Sequence, residues 1–396
     1  MRVAFLGGRL INPDNPRAWS GLPFFMRRAL EDAGVETITL APEDTGDSKR
    51  WARFLYWRWF HRKRYLIYCD TELLQSHARQ FERRLAAISV DAVFSPSTWP
   101  IAFLETELPV VFWTDACFAG LLEYYESFSN LAPPSVATGH AVEQRALERC
   151  TRAVYSADWA ARTARASYRI DPAKIVMVPF GGNLQEPPTL EEAREIVCRR
   201  PASPVHLLLV GVDWKRKGAD LAVETFERLV AAGVDCRLTI VGCSPPASRA
   251  LPPGVTILPF INKSKIEDRR RLNELYARSH FFIMPTRAEA FGIVYAEATA
   301  FGVPCLGTQV GGLPSVVREG VNGHLFPLDA GADEYASWIL GLINSPSRYR
   351  RLALRAVDEG ATRLSWKVAG RRMAEVIADA VRPRVPSAAK LEAAAS

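Results

Sequence analysis

The stretch Pro285–Pro304 constrains the fold more than any other part of the chain. It reads Pro-Thr-Arg-Ala-Glu-Ala-Phe-Gly-Ile-Val-Tyr-Ala-Glu-Ala-Thr-Ala-Phe-Gly-Val-Pro. Before it, His280-Phe-Phe-Ile-Met284 is an apolar run of strand length; after it, Val303-Pro-Cys-Leu-Gly307 begins another. Between them, helix formers run without a breaker from Phe291 or Gly292 to Ala300. Strand, loop, helix and strand in that order make one βαβ unit of a parallel sheet.

The unit carries two carboxylates, Glu289 in the loop and Glu297 in the helix, with Gly292 at the helix start. The first turn of a helix leaves N–H groups unpaired and a partial positive charge, so it can hold an anion. Glu297 lies five residues further in, about 7.5 Å along the axis at ~1.5 Å per residue. An anion site between two carboxylates suits a nucleoside diphosphate-sugar, with sugar hydroxyls on one carboxylate, ribose on the other and phosphates on the amides. The plain alternative is two unrelated glutamates, with Glu297 a solvated helix residue.

The surrounding residues decide between these. Glu-Ala-Phe-Gly-Ile-Val-Tyr-Ala-Glu-Ala, then Gly-Val-Pro, Val310-Gly-Gly-Leu-Pro314 and Glu319-Gly-Val-Asn-Gly-His-Leu-Phe-Pro327, resembles the donor-binding half of the retaining glycosyltransferases of family 4, over roughly Pro204 to Trp366. The resemblance implies two Rossmann-like α/β domains facing a cleft, the GT-B architecture. It implies an acceptor domain at 1–182, a donor domain at 183–365, and a helix at 366–381 that crosses back to the first domain. It gives Glu289 the sugar and Glu297 the ribose, with Phe291, Gly292 and Ile293 at the donor.

Other segments fit that plan. Arg2–Gly7 predicts a first strand, Trp19–Ala33 a helix stopped by Gly34, and Val35–Leu40 a second strand. The opening is Rossmann-like but lacks Gly-x-Gly-x-x-Gly, which argues against a dinucleotide cofactor. By the resemblance, Gly21 is the small residue that lets the backbone approach the donor phosphate; an ordinary helix-entry turn is the alternative. Ala92–Ser95 and Pro109–Thr114 read as strands, and the resemblance sets Asp115, just beyond the second, opposite the sugar's anomeric carbon, where His is common. Val205–Val210 reads as a strand buried on both faces. Asp213-Trp-Lys-Arg-Lys-Gly218 follows it, with three adjacent cations suited to a diphosphate. The resembled pattern has Arg where Val212 stands. Lys217 matches its lysine, and either Lys215 or Arg216 supplies the missing charge. Val255–Ile261, with Phe260, is expected to face the nucleobase.

Lys49–Tyr68 alternates Arg and Lys with aromatics and holds no acidic residue. Three readings stay open: a helix with its aromatics in the core, contact with anionic membrane, or a seat for an anionic or lipid-linked acceptor. The formal net charge of +7 comes with no nucleic-acid motif, so no nucleic-acid partner is expected. The seven cysteines form no Cys-x-x-Cys pair, which suits reduced thiols in the cytoplasm. The apolar start of the chain is short for a signal peptide, and no run approaches the ~18 apolar residues of a membrane span. With no Asp-x-Asp, no metal cofactor is expected. Beyond Val381 the Pro-, Ala- and Ser-rich segment 382–396 is expected to be disordered.

An inverting nucleotide-sugar enzyme or epimerase of the same architecture would want a basic His after the first strand, and none is there. A non-catalytic nucleotide-sugar-binding subunit would keep the cleft and lose the chemistry.

Overall fold

The computed structural model describes residues 1–8, 10–43 and 48–382; the expected tail from 383 onward lies outside them. Twelve strands form two parallel sheets of six. The first holds β1 (Arg2–Leu6), β2 (Glu36–Leu40), β3 (Ala92–Ser95), β4 (Val110–Thr114), β5 (Arg152–Tyr155) and β6 (Ile175–Met177) in the order β2-β1-β3-β4-β5-β6. The second holds β7 (Val205–Val210), β8 (Cys236–Val241), β9 (Val255–Leu258), β10 (Phe281–Met284), β11 (Cys305–Thr308) and β12 (Gly323–Phe326) in the order β12-β11-β10-β7-β8-β9. The apolar runs that read as strands are buried on both faces, as parallel strands covered by helices must be: β10 and β11 are buried at every residue.

Both strand orders reverse beside the first strand of their sheet. Loops at the carboxyl ends there diverge and open a crevice. The two crevices face each other across a shared aromatic core. Phe180 packs against Trp113, Phe291 and Trp366, with ring centroids 5.1, 5.2 and 5.6 Å away. Trp366 Nε1 donates to Asn183 Oδ1 at 2.9 Å, so the indole is buried without an orphan donor. Helix Trp366–Val381 begins at Ser365, whose hydroxyl accepts from the Val368 amide at 3.3 Å, and packs on helix Leu22–Asp32 of the first domain.

Two expectations need correction. The helix expected from Trp19 starts at Leu22. Trp19 and Ser20 take left-handed backbone angles, φ 44° and 56°, and Gly21 follows at φ 86°. That turn folds the chain back before the helix can propagate. The aromatics of the basic segment do not all enter the core. Helix Ser48–Phe60 leaves Trp51, Trp59 and Phe60 at 56%, 75% and 78% exposure. No helix among the described residues is long and apolar enough to cross a membrane.

Candidate active site

The facing crevices enclose a cleft of about 790 Å³, ample for a nucleotide-sized ligand. Its floor on the second domain is the βαβ unit singled out above. β10 ends at Met284, a loop carries Glu289, and helix Ile293–Ala300 starts at Gly292. Gly292 has φ 92°, and a Cβ there would meet Leu313 Cδ2 at 2.6 Å. A side chain is thus strained by the backbone conformation and crowded by the side chains of Leu313 and Tyr295.

Glu289 accepts a salt bridge from Lys217 Nζ, whose side chain is only 10% exposed. Arg216 Nη1 lies 3.9 Å from the same carboxylate oxygen. It also donates to the Ala288 carbonyl at 3.1 Å, and the guanidinium sits over the Tyr125 ring, 5.6 Å from its centroid. Arg216 therefore stands in the cleft as the second cation. Lys215 does not: it is exposed and off the cleft wall, and its carbonyl accepts from Arg287. In the turn that precedes Gly218, Lys217 points inward and Lys215 outward. Val212, where the resembled pattern has Arg, is 63% exposed on the cleft wall.

Glu297 is completely buried, so it is not a solvated helix residue. Lys263 Nζ pairs with its Oε1, and Tyr276 Oη donates to its Oε2 at 2.9 Å. A buried carboxylate persists only with such partners. Phe291 and Ile293 line the cleft beside it, and Phe260, 64% exposed, forms part of the same wall. Asp115 comes from the opposite domain, at the end of β4. Burial pushes its carboxyl up to about 7, and the nearby Glu289 adds to the rise. Gly21 itself is not on the cleft wall, although Ser20 and Leu22 are. A Cβ at Gly21 would come within 2.9 Å of the Pro16 carbonyl, so its local role is the left-handed turn.

Residues 204–345 match the family model of the group 1 glycosyl transferases. The D-inositol 3-phosphate glycosyltransferase of Mycobacterium marinum is 30% identical over 235 residues, 57% of this chain and 49% of that one. The match lies within the second domain, which is similar to the group 1 glycosyl transferases over those residues. Sucrose-phosphate synthase from Thermosynechococcus elongatus superposes with a TM-score of 0.67 at 19% identity, covering 96% of this chain and 98% of that one. Anabaena HepE, solved in complex with UDP and glucose, superposes with a TM-score of 0.59 at 14% identity, covering 96% and 99%. At these identities the likeness shows the fold alone, and that fold is GT-B. The chain spans about half the length of the curated relatives it matches.

Three residues of the cleft carry no mark in the sequence. Tyr124 Oη accepts from the Glu289 amide at 2.9 Å, and Tyr125 Oη accepts from the Ala290 amide at 2.7 Å. Both tyrosines belong to the first domain, so they hold the Glu289 loop from across the cleft. Lys263 is the third. No periodicity marks any of them; a Tyr-Tyr pair soon after Asp115 was the one available signal.

Proposed function

We propose that this chain is a retaining glycosyltransferase that moves a hexose-type sugar from a nucleoside diphosphate-sugar to an acceptor hydroxyl. The observation that carries the proposal is the Lys217–Glu289 pair, with Arg216 beside it, at the start of helix Ile293–Ala300 and on the same cleft as Asp115. The bond from the anomeric carbon to the diphosphate breaks, and the bond to the acceptor oxygen forms on the same face. The acceptor proton passes to the leaving phosphate. Negative charge grows on the diphosphate, where Lys217, Arg216 and the amides after Gly292 stabilise it. Glu289 grips sugar hydroxyls, and Glu297, held by Lys263 and Tyr276, takes the ribose. Closure of the domains expels water and limits hydrolysis. The names of the relatives and the UDP and glucose of the HepE complex support this reading.

Thermal unfolding with UDP, GDP and ADP, followed by cleavage of the matching sugars, tests it. One nucleotide is expected to stabilise the protein, and its sugar to be cleaved or transferred. Stabilisation without cleavage or transfer would identify a binding subunit instead, and interconversion of the sugar without transfer an epimerase. Because protein cations neutralise the leaving group in this mechanism, transfer is expected to continue in EDTA. Loss of activity in chelator, restored by Mn²⁺ or Mg²⁺, would overturn that step.

The exposed face of helix Ser48–Phe60 favours the membrane reading of the basic segment, which would put the enzyme at the cytoplasmic face of a bilayer. Trp59 and Phe60 project as interfacial aromatics do, next to Arg62 and Lys63. Each basic residue near an anionic surface contributes about 1 kcal/mol. Changing Arg62, Lys63 and Arg64 to Gln is therefore expected to weaken binding to phosphatidylserine vesicles by about 10²-fold, with salt doing the same to the parent protein. Equal binding to neutral and anionic vesicles would leave the segment as an acceptor seat.

A further inference from the structure

The first-domain arm of the cleft has features that donor binding does not use. Ser97 and Thr98 follow β3, and Glu143 reaches the same wall from helix Pro133–Arg149. Glu143 is 1% exposed. Thr98 Oγ1 donates to its Oε2 at 2.7 Å, whereas its Oε1 has no hydrogen-bond partner, and neither has Ser97 Oγ. Buried oxygens left without partners are costly. Orphans on a cleft wall mark where the hydroxyls of a ligand complete the set. Beside them Tyr68 and Trp99 form a tilted ring pair, centroids 4.6 Å apart, on the same wall. Such faces suit the C–H side of a sugar ring.

Charge selects among rings. The first domain lines the cleft with two acidic side chains, Asp115 and Glu143, and one cation, Arg17, which reaches toward the second domain. Burial pushes each carboxyl up to about 7, with the Thr98 hydroxyl opposing the rise at Glu143. The cations on the cleft wall are engaged elsewhere: Arg216 and Lys217 at Glu289, Lys263 at Glu297, Arg17 at Asn262 Oδ1, 3.3 Å away. A phosphate beside Ser97 and Glu143 would meet carboxyls, and no cation is hydrogen-bonded to either residue.

We propose that this arm is the acceptor subsite, that it takes an uncharged sugar or polyol ring on Trp99 and Tyr68 with hydroxyls on Ser97 and Glu143, and that it rejects phosphorylated acceptors. The proposal rests on the glycosyl-transfer reading, whose nucleotide-binding test is separate.

Saturation-transfer NMR on the full chain, with the stabilising nucleoside diphosphate present, decides it. The probes are glucose, galactose, mannose, N-acetylglucosamine and myo-inositol, each against its monophosphate. At least one uncharged ring is expected to bind, with its phosphate weaker by about tenfold or more. Glu143→Gln is expected to close most of that gap, and Ser97→Ala to weaken the uncharged ring. Should Glu143→Gln fail to fold, the comparison within the parent protein still stands. A phosphate that binds as tightly as its parent ring overturns the proposal, as does a protein that binds nucleotide but no uncharged ring. Absence of nucleotide binding would instead remove the glycosyl-transfer reading beneath it.

Discussion

Lys217→Ala is expected to lower transfer by about 10²–10³-fold, the loss typical of one preorganised charge at a developing anion. Two effects add. On the proposed mechanism the leaving diphosphate loses one of its cations, and Glu289, with a side chain 13% exposed, is left with Arg216 at 3.9 Å as its remaining cationic partner. A partly buried carboxylate stripped of its ion pair moves or takes up a proton. Because Lys217 and Glu289 act together, Lys217→Ala combined with Glu289→Gln is expected to lose far less than the product of the single losses. Arg216→Ala is expected to cost less, since that guanidinium is further away and also anchored on Ala288 and Tyr125. Lys215→Ala is expected to stay near the parent rate, since the side chain faces solvent. Steady-state kinetics on the four single variants and the double variant check the set. A Lys217→Ala enzyme within tenfold of the parent would remove the lysine from the mechanism.

Glu289→Gln and Glu297→Gln are expected to fail in different ways. Glu289→Gln keeps the side-chain shape and removes charge beside a developing cation. It is expected to lower kcat by about 10²-fold with little change in KM, because the contact strengthens in the transition state. If Glu297 takes the ribose as proposed, Glu297→Gln weakens an acceptor used equally in the ground and transition states, so KM is expected to rise more than kcat falls. Free nucleoside diphosphate separates the two. Its affinity is expected to fall about tenfold, ~1.4 kcal/mol, in Glu297→Gln and to hold in Glu289→Gln. The buried setting of Glu297 does not defeat the test. A glutamine still accepts from Tyr276, and the freed Lys263, 32% exposed, can turn to water. If calorimetry finds the nucleotide lost with Glu289 and kept with Glu297, the assignment is reversed. If neither variant changes binding or turnover, the pair is structural.

The sequence by itself determined the parallel strands and the βαβ unit of the second domain. Uninterrupted apolar runs of strand length, a breaker-free helix and glycines at forced positions are local properties, and β7, β8, β10 and helix Ile293–Ala300 follow from them. Family likeness over roughly Pro204 to Trp366 named Glu289, Glu297 and Lys217. Tertiary structure alone decided which groups meet. Lys217 pairs with Glu289 from 72 residues away, and Lys263 with Glu297 from 34. Two tyrosines 165 residues distant hold the Glu289 loop. The choice among three adjacent cations also came from the fold, because the turn ahead of Gly218 directs Lys217 inward and Lys215 outward. The left-handed turn at Trp19 and Ser20 was hidden because neither residue type announces it. Glu143 was hidden for the same reason that makes it notable: its helix packs a carboxyl against the ends of strands distant in the chain, and a lone glutamate on a helix carries no mark of burial until those strands are in place.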